Sequence, residues 1–343
     1  MSSADLSSHP RTLLGHEAAV YALAAWPLGG IVSGGGDGLV AHWSLGGSTD
    51  GRALTRIDDR VVRLLPVGSA TGPFGKTAAD APRGGGSRDD APAGADAGRA
   101  GPVLAEADEP QVALAVGTLS GDLYWVRTDG SAPRRWRLHR DGLFGLVQAG
   151  GRVFACGGSG TLSSWDAASG GPLRHRAVES VRLRGLAWLP TPRLLACGTA
   201  NGDLLLVEPD GLRAVHVVER AHERTVFDIA DAGDRFYTCG RDGAIRAWAT
   251  EAPFGQLDHV PAHAATVNAL AYASAAETLV SAGRDRELRV WDREPDGLRL
   301  RKVLDGPRDG GHVASVNACC LLPGGGIASG SDDRTVRVWS VPA

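Results

Sequence analysis

The sequence predicts an all-β fold, a propeller of seven four-stranded antiparallel blades closed into one ring. Three observations carry that prediction. A sequence pattern recurs at a period of roughly 40 residues; each copy contains segments that alternate like half-buried strands, such as Thr335 to Trp339 and Leu288 to Trp291; and Gly and Asp punctuate the turns between them. One such sheet cannot bury both of its faces alone, whereas radial packing against neighbours can.

Each repeat reads as a Gly/Ser-rich strand end, an Asp-containing turn and a strand closing on Trp. The clear copies run Ser33-Gly-Gly-Gly-Asp37 to Trp43, Thr238-Cys-Gly-Arg-Asp242 to Trp248, Ser281-Ala-Gly-Arg-Asp285 to Trp291, and Ser329-Gly-Ser-Asp-Asp333 to Trp339. In all four the Asp lies six residues before the Trp, and the Ser or Thr four before the Asp. Upstream of each, a His precedes a Val by four residues: His16 and Val20, His222 and Val226, His263 and Val267, His312 and Val316. Weaker copies pass through His139, Leu143, Ser159 and Trp165; through Leu183, Asn201-Gly-Asp and Val207; and through Ser120-Gly-Asp and Val126. Taking 43, 126, 165, 207, 248, 291 and 339 as equivalent positions gives steps of 83, 39, 42, 41, 43 and 48 residues.

These residues resemble the WD40 repeat family from about Arg11 to Val341, although only Trp165-Asp166 and Trp291-Asp292 are literal Trp-Asp pairs. The resemblance implies that His, Ser or Thr, Asp and Trp of one blade meet and satisfy one another's hydrogen bonds, since each is costly to bury unpaired. A His with an Asp and a Ser also invites a catalytic reading. Recurrence of the trio four times, at fixed offsets from a Trp, favours structure, and no G-x-S-x-G elbow is present.

The 83-residue step is read as an insertion in blade two, at about residues 68–109. That stretch is Gly, Ala, Pro, Asp and Arg with Phe74 its one aromatic residue, too poor in apolar surface to offset the ordering of four strands. It is expected to be disordered, between the strands near Val62 to Leu65 and Val112 to Val116. Residues 1–10 are expected to be a flexible terminus. The third strand of the last blade ends near Val341, so Arg11 to Leu14 is expected to supply its outer strand, as is common in the family, and to leave no open edge.

Strand order places the His loops and the Asp turns on one face. The residue after each Val or Leu of the His-x-x-x-Val pattern opens an innermost strand there: Tyr21, Arg63, Phe144, Arg184, Phe227, Asn268 and Asn317, with Val61 and Val62 both fitting as the residue before Arg63. Arg241 and Arg284, preceding the turn Asp, join the rim. Tyr, Phe and Arg favour partner binding, and Arg pairs with carboxylate or phosphate. The alternative is that Phe144 and Phe227 simply fill the channel.

Composition narrows the function classes. A formal charge of −3 over 343 residues gives no basis for nucleic-acid or membrane steering, and no run of 18 apolar residues or signal peptide is visible. Five cysteines, two of them adjacent, do not form a disulfide framework, which fits a reducing cytoplasm. Cys156, Cys197 and Cys239 lie in successive blades, too far apart for one metal ion, and read as small buried hydrophobes. No metal or cofactor is expected. Lys occurs only at 76 and 302, a bias that, with abundant Ala and Gly, suggests a GC-rich bacterial genome. Gly75-Lys76-Thr77 lacks the earlier glycine of a phosphate loop, position 70 being Ala70. The expected function is a monomeric, non-catalytic scaffold for protein partners. The other readings are a reader of an acidic or modified peptide and, with Asp228 as its chief candidate, an enzyme at the channel mouth.

Overall fold

The structure is a computed structural model and describes residues 10–46, 51–68 and 112–340. The terminus at residues 1–9 lies outside the described residues, as do Gly75-Lys76-Thr77 and, but for Gly68, the expected insertion.

Seven four-stranded antiparallel sheets form the ring. Their innermost strands are Val20–Ala25, Val61–Val67, Leu143–Ala149, Leu183–Leu189, Val226–Asp231, Val267–Ala273 and Val316–Leu321. Each packs on the next, and the last packs on the first. These define blades one to seven. Within a blade the chain runs outward, and the third strand carries the Trp of each repeat against the second: Trp43 pairs with Ile31, Trp165 with Val153, Trp248 with Phe236. Val126 and Val207 occupy the same ladder position in blades two and four, opposite Leu114 and Leu195.

The core lies in the seams between blades. Val32 and Val40 of blade one meet Val61, Leu64 and Val116 of blade two, and Tyr237 and Ile245 of blade five meet Val267, Leu270 and Leu279 of blade six. Full burial of one such side chain contributes about 1.5–3 kcal/mol, so stability accrues seam by seam and depends on the ring being closed.

Closure comes from the N-terminal strand. Arg11–Leu13 pairs antiparallel with the third strand of blade seven, Arg11 opposite Val338 and Leu13 opposite Val336. Leu13 is buried in one cluster with Val20, Trp43 and Val336. The last blade therefore combines both ends of the chain. Among the described residues the one helix is the single turn Gly306–Asp309, far too short to cross a membrane.

Candidate functional site

Four blades hold a buried relay built from the repeated residues. In blade one the Trp43 indole N–H donates to Ser33 Oγ (2.7 Å), Ser33 Oγ lies 2.7 Å from His16 Nε2, and His16 Nδ1 faces the Asp37 carboxylate at 3.1 Å. Blade five repeats this with Trp248, Thr238, His222 and Asp242 at 2.8, 2.7 and 3.0 Å. Blade six does so with Trp291, Ser281, His263 and Asp285 at 2.9, 2.8 and 2.9 Å, and blade seven with Trp339, Ser329, His312 and Asp333 at 2.8 Å throughout. Because the indole can only donate, the hydroxyl accepts from it and donates to Nε2, which leaves Nδ1–H for the carboxylate. Burial by itself would raise these carboxyls; the His and backbone N–H donors outweigh it, so Asp37 and Asp285 titrate below the usual range and Asp242 at about 2.

The connectivity is that of a Ser-His-Asp relay, yet its hydroxyls cannot meet a substrate. Ser33, Thr238, Ser281 and Ser329 are all 0% exposed, and each already accepts an indole N–H. Among the described residues one group offers three metal-type donors, His263, Asp285 and Glu287. Its members are engaged elsewhere, His263 by Asp285 and Ser281, Glu287 by Arg289 at 2.7 Å.

Blade three departs from the relay at two residues, with Ser159 in place of the Asp and Ala155 in place of the hydroxyl. The position ten before its Trp, a hydroxyl in the other four sets, is Ala155. The Trp165 indole N–H is therefore buried without an acceptor. His139 Nε2 turns to Ser163 on the third strand, and Nδ1 meets Thr161 (2.9 Å), which in turn meets Ser159 (2.9 Å). Without a carboxylate, burial holds the His139 imidazole neutral, down to about 3, helped by the nearby His175. Blades two and four use a different device that repetition of the Trp pattern does not reveal. In Thr118-x-x-Gly-Asp122 and Thr199-x-x-Gly-Asp203 the threonine hydroxyl accepts the Asp N–H, at 3.1 and 2.9 Å. Asp122 is buried beneath Arg135 and Arg137.

The channel mouth is shaped by a β-bulge at the start of every innermost strand. The ladder slips between Val20 and Ala22, Leu143 and Gly145, Leu183 and Gly185, Val226 and Asp228, Val267 and Ala269, and Val316 and Ala318. The extra residue in each is Tyr21, Phe144, Arg184, Phe227, Asn268 or Asn317. A bulged residue leaves the ladder and re-aims its side chain, and Tyr21, Phe144, Asn268 and Asn317 of this set line the cavity at the mouth. In blade two the slip falls between Val61 and Arg63. The bulged residue there is Val62, so the expected place of Arg63 on the upper ring is corrected: Arg63 sits one level down the channel. The pattern Val61-Val62 offered two registers, and only the bulge chooses between them.

Within the upper ring, Arg184 packs its guanidinium between Phe144 (4.0 Å to the ring centre) and Phe227 (5.3 Å). Burial, with the charge of Arg63 nearby, lowers Arg184 to about 10, still charged at neutral pH. The two asparagines spend their amides on the seams: Asn268 Nδ2 donates to Val316 O (2.8 Å), and Asn317 Nδ2 donates to Val20 O (3.2 Å) and Asp332 (2.7 Å).

Above the ring, the turns between second and third strands carry exposed arginines. Arg241 and Arg284 are exposed, as expected of rim residues. Two more escaped the sequence reading. Immediately after the turn Asp or its equivalent, five blades have glycine at positive φ: Gly38, Gly121, Gly160, Gly202 and Gly243, from +72° to +99°. Blades six and seven place Arg286 (+77°) and Arg334 (+69°) there, both exposed. The signal was available in the repeats, as Asp-Arg where others read Asp-Gly or its equivalent.

A family model described as "WD domain, G-beta repeat" matches residues 7–44, 255–292 and 303–340, so the chain carries WD40 repeats. Each matched segment includes at least the end of the outer strand of one blade and runs into or just past the third strand of the next, the same offset by which Arg11–Leu13 completes blade seven. Over 121 residues the chain is 28% identical to "Ubiquitin homeostasis protein lub1" of Schizosaccharomyces pombe, a match covering 35% of this chain and 15% of that protein. Two further curated relatives match over 38% and 40% of their lengths, so the chain spans well under half of these relatives. Among solved structures, the WD40 β-propeller domain of Doa1 superposes with a TM-score of 0.74 at 18% identity, over 100% of this chain and 98% of that one. A chain titled "Crystal Structure of Mitotic Checkpoint Complex" gives 0.73 at 16% identity, over 100% and 98%. Both share the fold.

Proposed function

We propose that this WD40-repeat propeller is a non-catalytic scaffold whose arginine-bearing face holds an acidic segment of a partner protein. The observation that carries the reading is the pair Arg286 and Arg334. A left-handed backbone costs a residue with a Cβ about 1 kcal/mol or more, and the other five blades avoid that cost with glycine. Among the described residues neither guanidinium is in an ion pair that would offset the strain within the fold. Other non-glycine residues, Arg193 and Arg220 among them, also take positive φ, but only at this turn does arginine stand where the equivalent turns of the other blades have glycine. We take these two charges as kept for a partner. Arg241, Arg284 and the stacked Arg184 extend the same charge from the turns to the channel mouth, and the aromatic flanks of Arg184 supply desolvated contact area of the kind that dominates interfaces. The propeller within the mitotic checkpoint complex offers a parallel for this fold serving in a protein assembly. Free cysteines fit a reducing compartment, and the cytoplasm is the setting we assign.

The test is direct binding of fluorescent peptides. A Glu-rich peptide should bind in a salt-sensitive way, and a Gln-rich peptide of equal length should not. Replacing Arg184, Arg241 and Arg284 together with Glu should weaken the acidic peptide at least about thirtyfold, roughly 2 kcal/mol, while the melting temperature holds. Equal affinity for both peptides, or a triple variant that binds as the parent does, would remove the proposal.

A further inference from the structure

One level below the mouth, the innermost strands present Ala22, Arg63, Gly145, Gly185, Asp228, Ala269 and Ala318 in equivalent ladder positions. Five of the seven are Ala or Gly, which leaves open space, and the two exceptions carry opposite charges. They stand on blades two and five, three blades apart around the ring. The level beneath is apolar, with Leu23, Leu64, Leu146 and Leu186 as its floor. The cavity, partly open to solvent, is about 140 Å³ and is lined by both charged residues together with Tyr21 and Phe144.

Neither charge is in a direct ion pair among the described residues, although Arg63 lies close enough to act electrostatically on Asp228. Arg63 donates one Nη1 hydrogen bond, to the carbonyl of its neighbour Val62 (2.8 Å). Asp228 accepts two backbone N–H groups, from Leu270 (2.9 Å) and Ile229 (3.0 Å), and among the described residues no ion pair reaches it. Two partly buried opposite charges that do not touch attract one another only weakly, and a ligand that supplies both signs can bridge them with direct charged hydrogen bonds. A ligand of one sign would satisfy one wall and oppose the other.

We propose that this chamber binds a small zwitterion of the size and charge of an α-amino acid, its carboxylate toward Arg63 and its ammonium toward Asp228. Size agrees, because a cavity of about 150 Å³ accommodates a molecule such as benzene, comparable to alanine or serine. Burial raises the Asp228 carboxyl, an effect that the charge of Arg63 and the two backbone N–H groups only partly oppose. The site is argued apart from the acidic-peptide reading, since neither Arg63 nor Asp228 is among the rim residues substituted there, although Arg184 lies within electrostatic reach of Arg63.

Ligand-observed NMR and calorimetry on the full chain test the assignment, with L-alanine and L-serine as zwitterions, and propionate and ethylammonium as single-charge analogues. Alanine or serine should bind, and each analogue should bind at least about tenfold more weakly, since a charged hydrogen bond is worth on the order of one decade or more. Asp228→Asn preserves an acceptor for the Leu270 N–H and should weaken the zwitterion at least about tenfold while sparing propionate. Arg63→Gln should do the same for the zwitterion while sparing ethylammonium, and Arg63→Lys should restore part of the binding. The idea is overturned if neither amino acid binds at millimolar concentration, if propionate or ethylammonium binds as tightly as alanine, or if the Asn and Gln variants bind like the parent. Circular dichroism melting of each variant separates loss of binding from loss of fold.

Discussion

Deleting residues 1–14 is expected to destabilise the ring by at least about 4 kcal/mol, which for a chain of this size lowers the melting temperature by roughly 6 °C. The strand Arg11–Leu13 is short, but it removes the free edge of blade seven and seats Leu13 against Val20 and Trp43, which belong to blade one. Its loss empties a core position, where removing a leucine side chain alone costs about 2–5 kcal/mol. It also exposes the ladder groups of Val336 and Val338 to water or to another chain. Leu13→Asp should reproduce most of the effect by placing an unpaired carboxylate in the same seam. Differential scanning calorimetry decides; a truncated chain melting with the parent would show that the ring is held elsewhere.

Acidification from pH 7 to pH 4 is expected to destabilise the fold by on the order of 3 kcal/mol through His139 alone. Burial holds this imidazole at about 3 in the fold, against roughly 6.5 when unfolded. Between those values the unfolded chain binds a proton that the folded chain refuses, so the contribution is fully present above pH 6.5 and is lost as pH falls toward the folded value. His312 is lowered in the same direction, mainly by burial, although Asp333 opposes the shift. The relay carboxylates act in a lower window. Asp242 titrates at about 2 in the fold, so its stabilisation is present above about 3.9 and lost as pH falls through the folded value. Urea denaturation from pH 7 to pH 4 should show the slope, and His139→Gln should flatten it. Equal stability at both ends of that range in the parent would contradict the neutral, desolvated His139.

Much of this architecture was legible because each blade repeats one hydrogen-bonding solution. Four residues that must satisfy each other cannot drift independently, so His16, Ser33, Asp37 and Trp43 recur as a set in blades five, six and seven. The blades without the set remained visible only through strand spacing, because Thr118 with Asp122 and Thr199 with Asp203 solve the same turn with different atoms. Blade three was harder still. Ser159 stands where the other sets have Asp and Ala155 where they have a hydroxyl, and the hydroxyl serving His139 Nε2 comes from Ser163 on the next strand. Arg63 illustrates a separate limit. A bulge adds one residue to one strand, and with two adjacent valines no local pattern fixes which residue is extra. That single-residue slip moved a guanidinium from the rim into the chamber and set it across from Asp228. The strain at Arg286 and Arg334 was hidden for a different reason: a left-handed residue is recognised from sequence when it is glycine, and here it is arginine.

The reading of the rim as a binding surface kept at the expense of stability is tested most directly by converting Arg286 and Arg334 together to glycine, then measuring melting temperature and acidic-peptide affinity on the same preparation. Relief of two left-handed arginines should raise stability by about 1 kcal/mol or more, while loss of two exposed charges weakens the peptide several-fold. A variant that is no more stable than the parent, or one that gains stability with its peptide affinity intact, would contradict it.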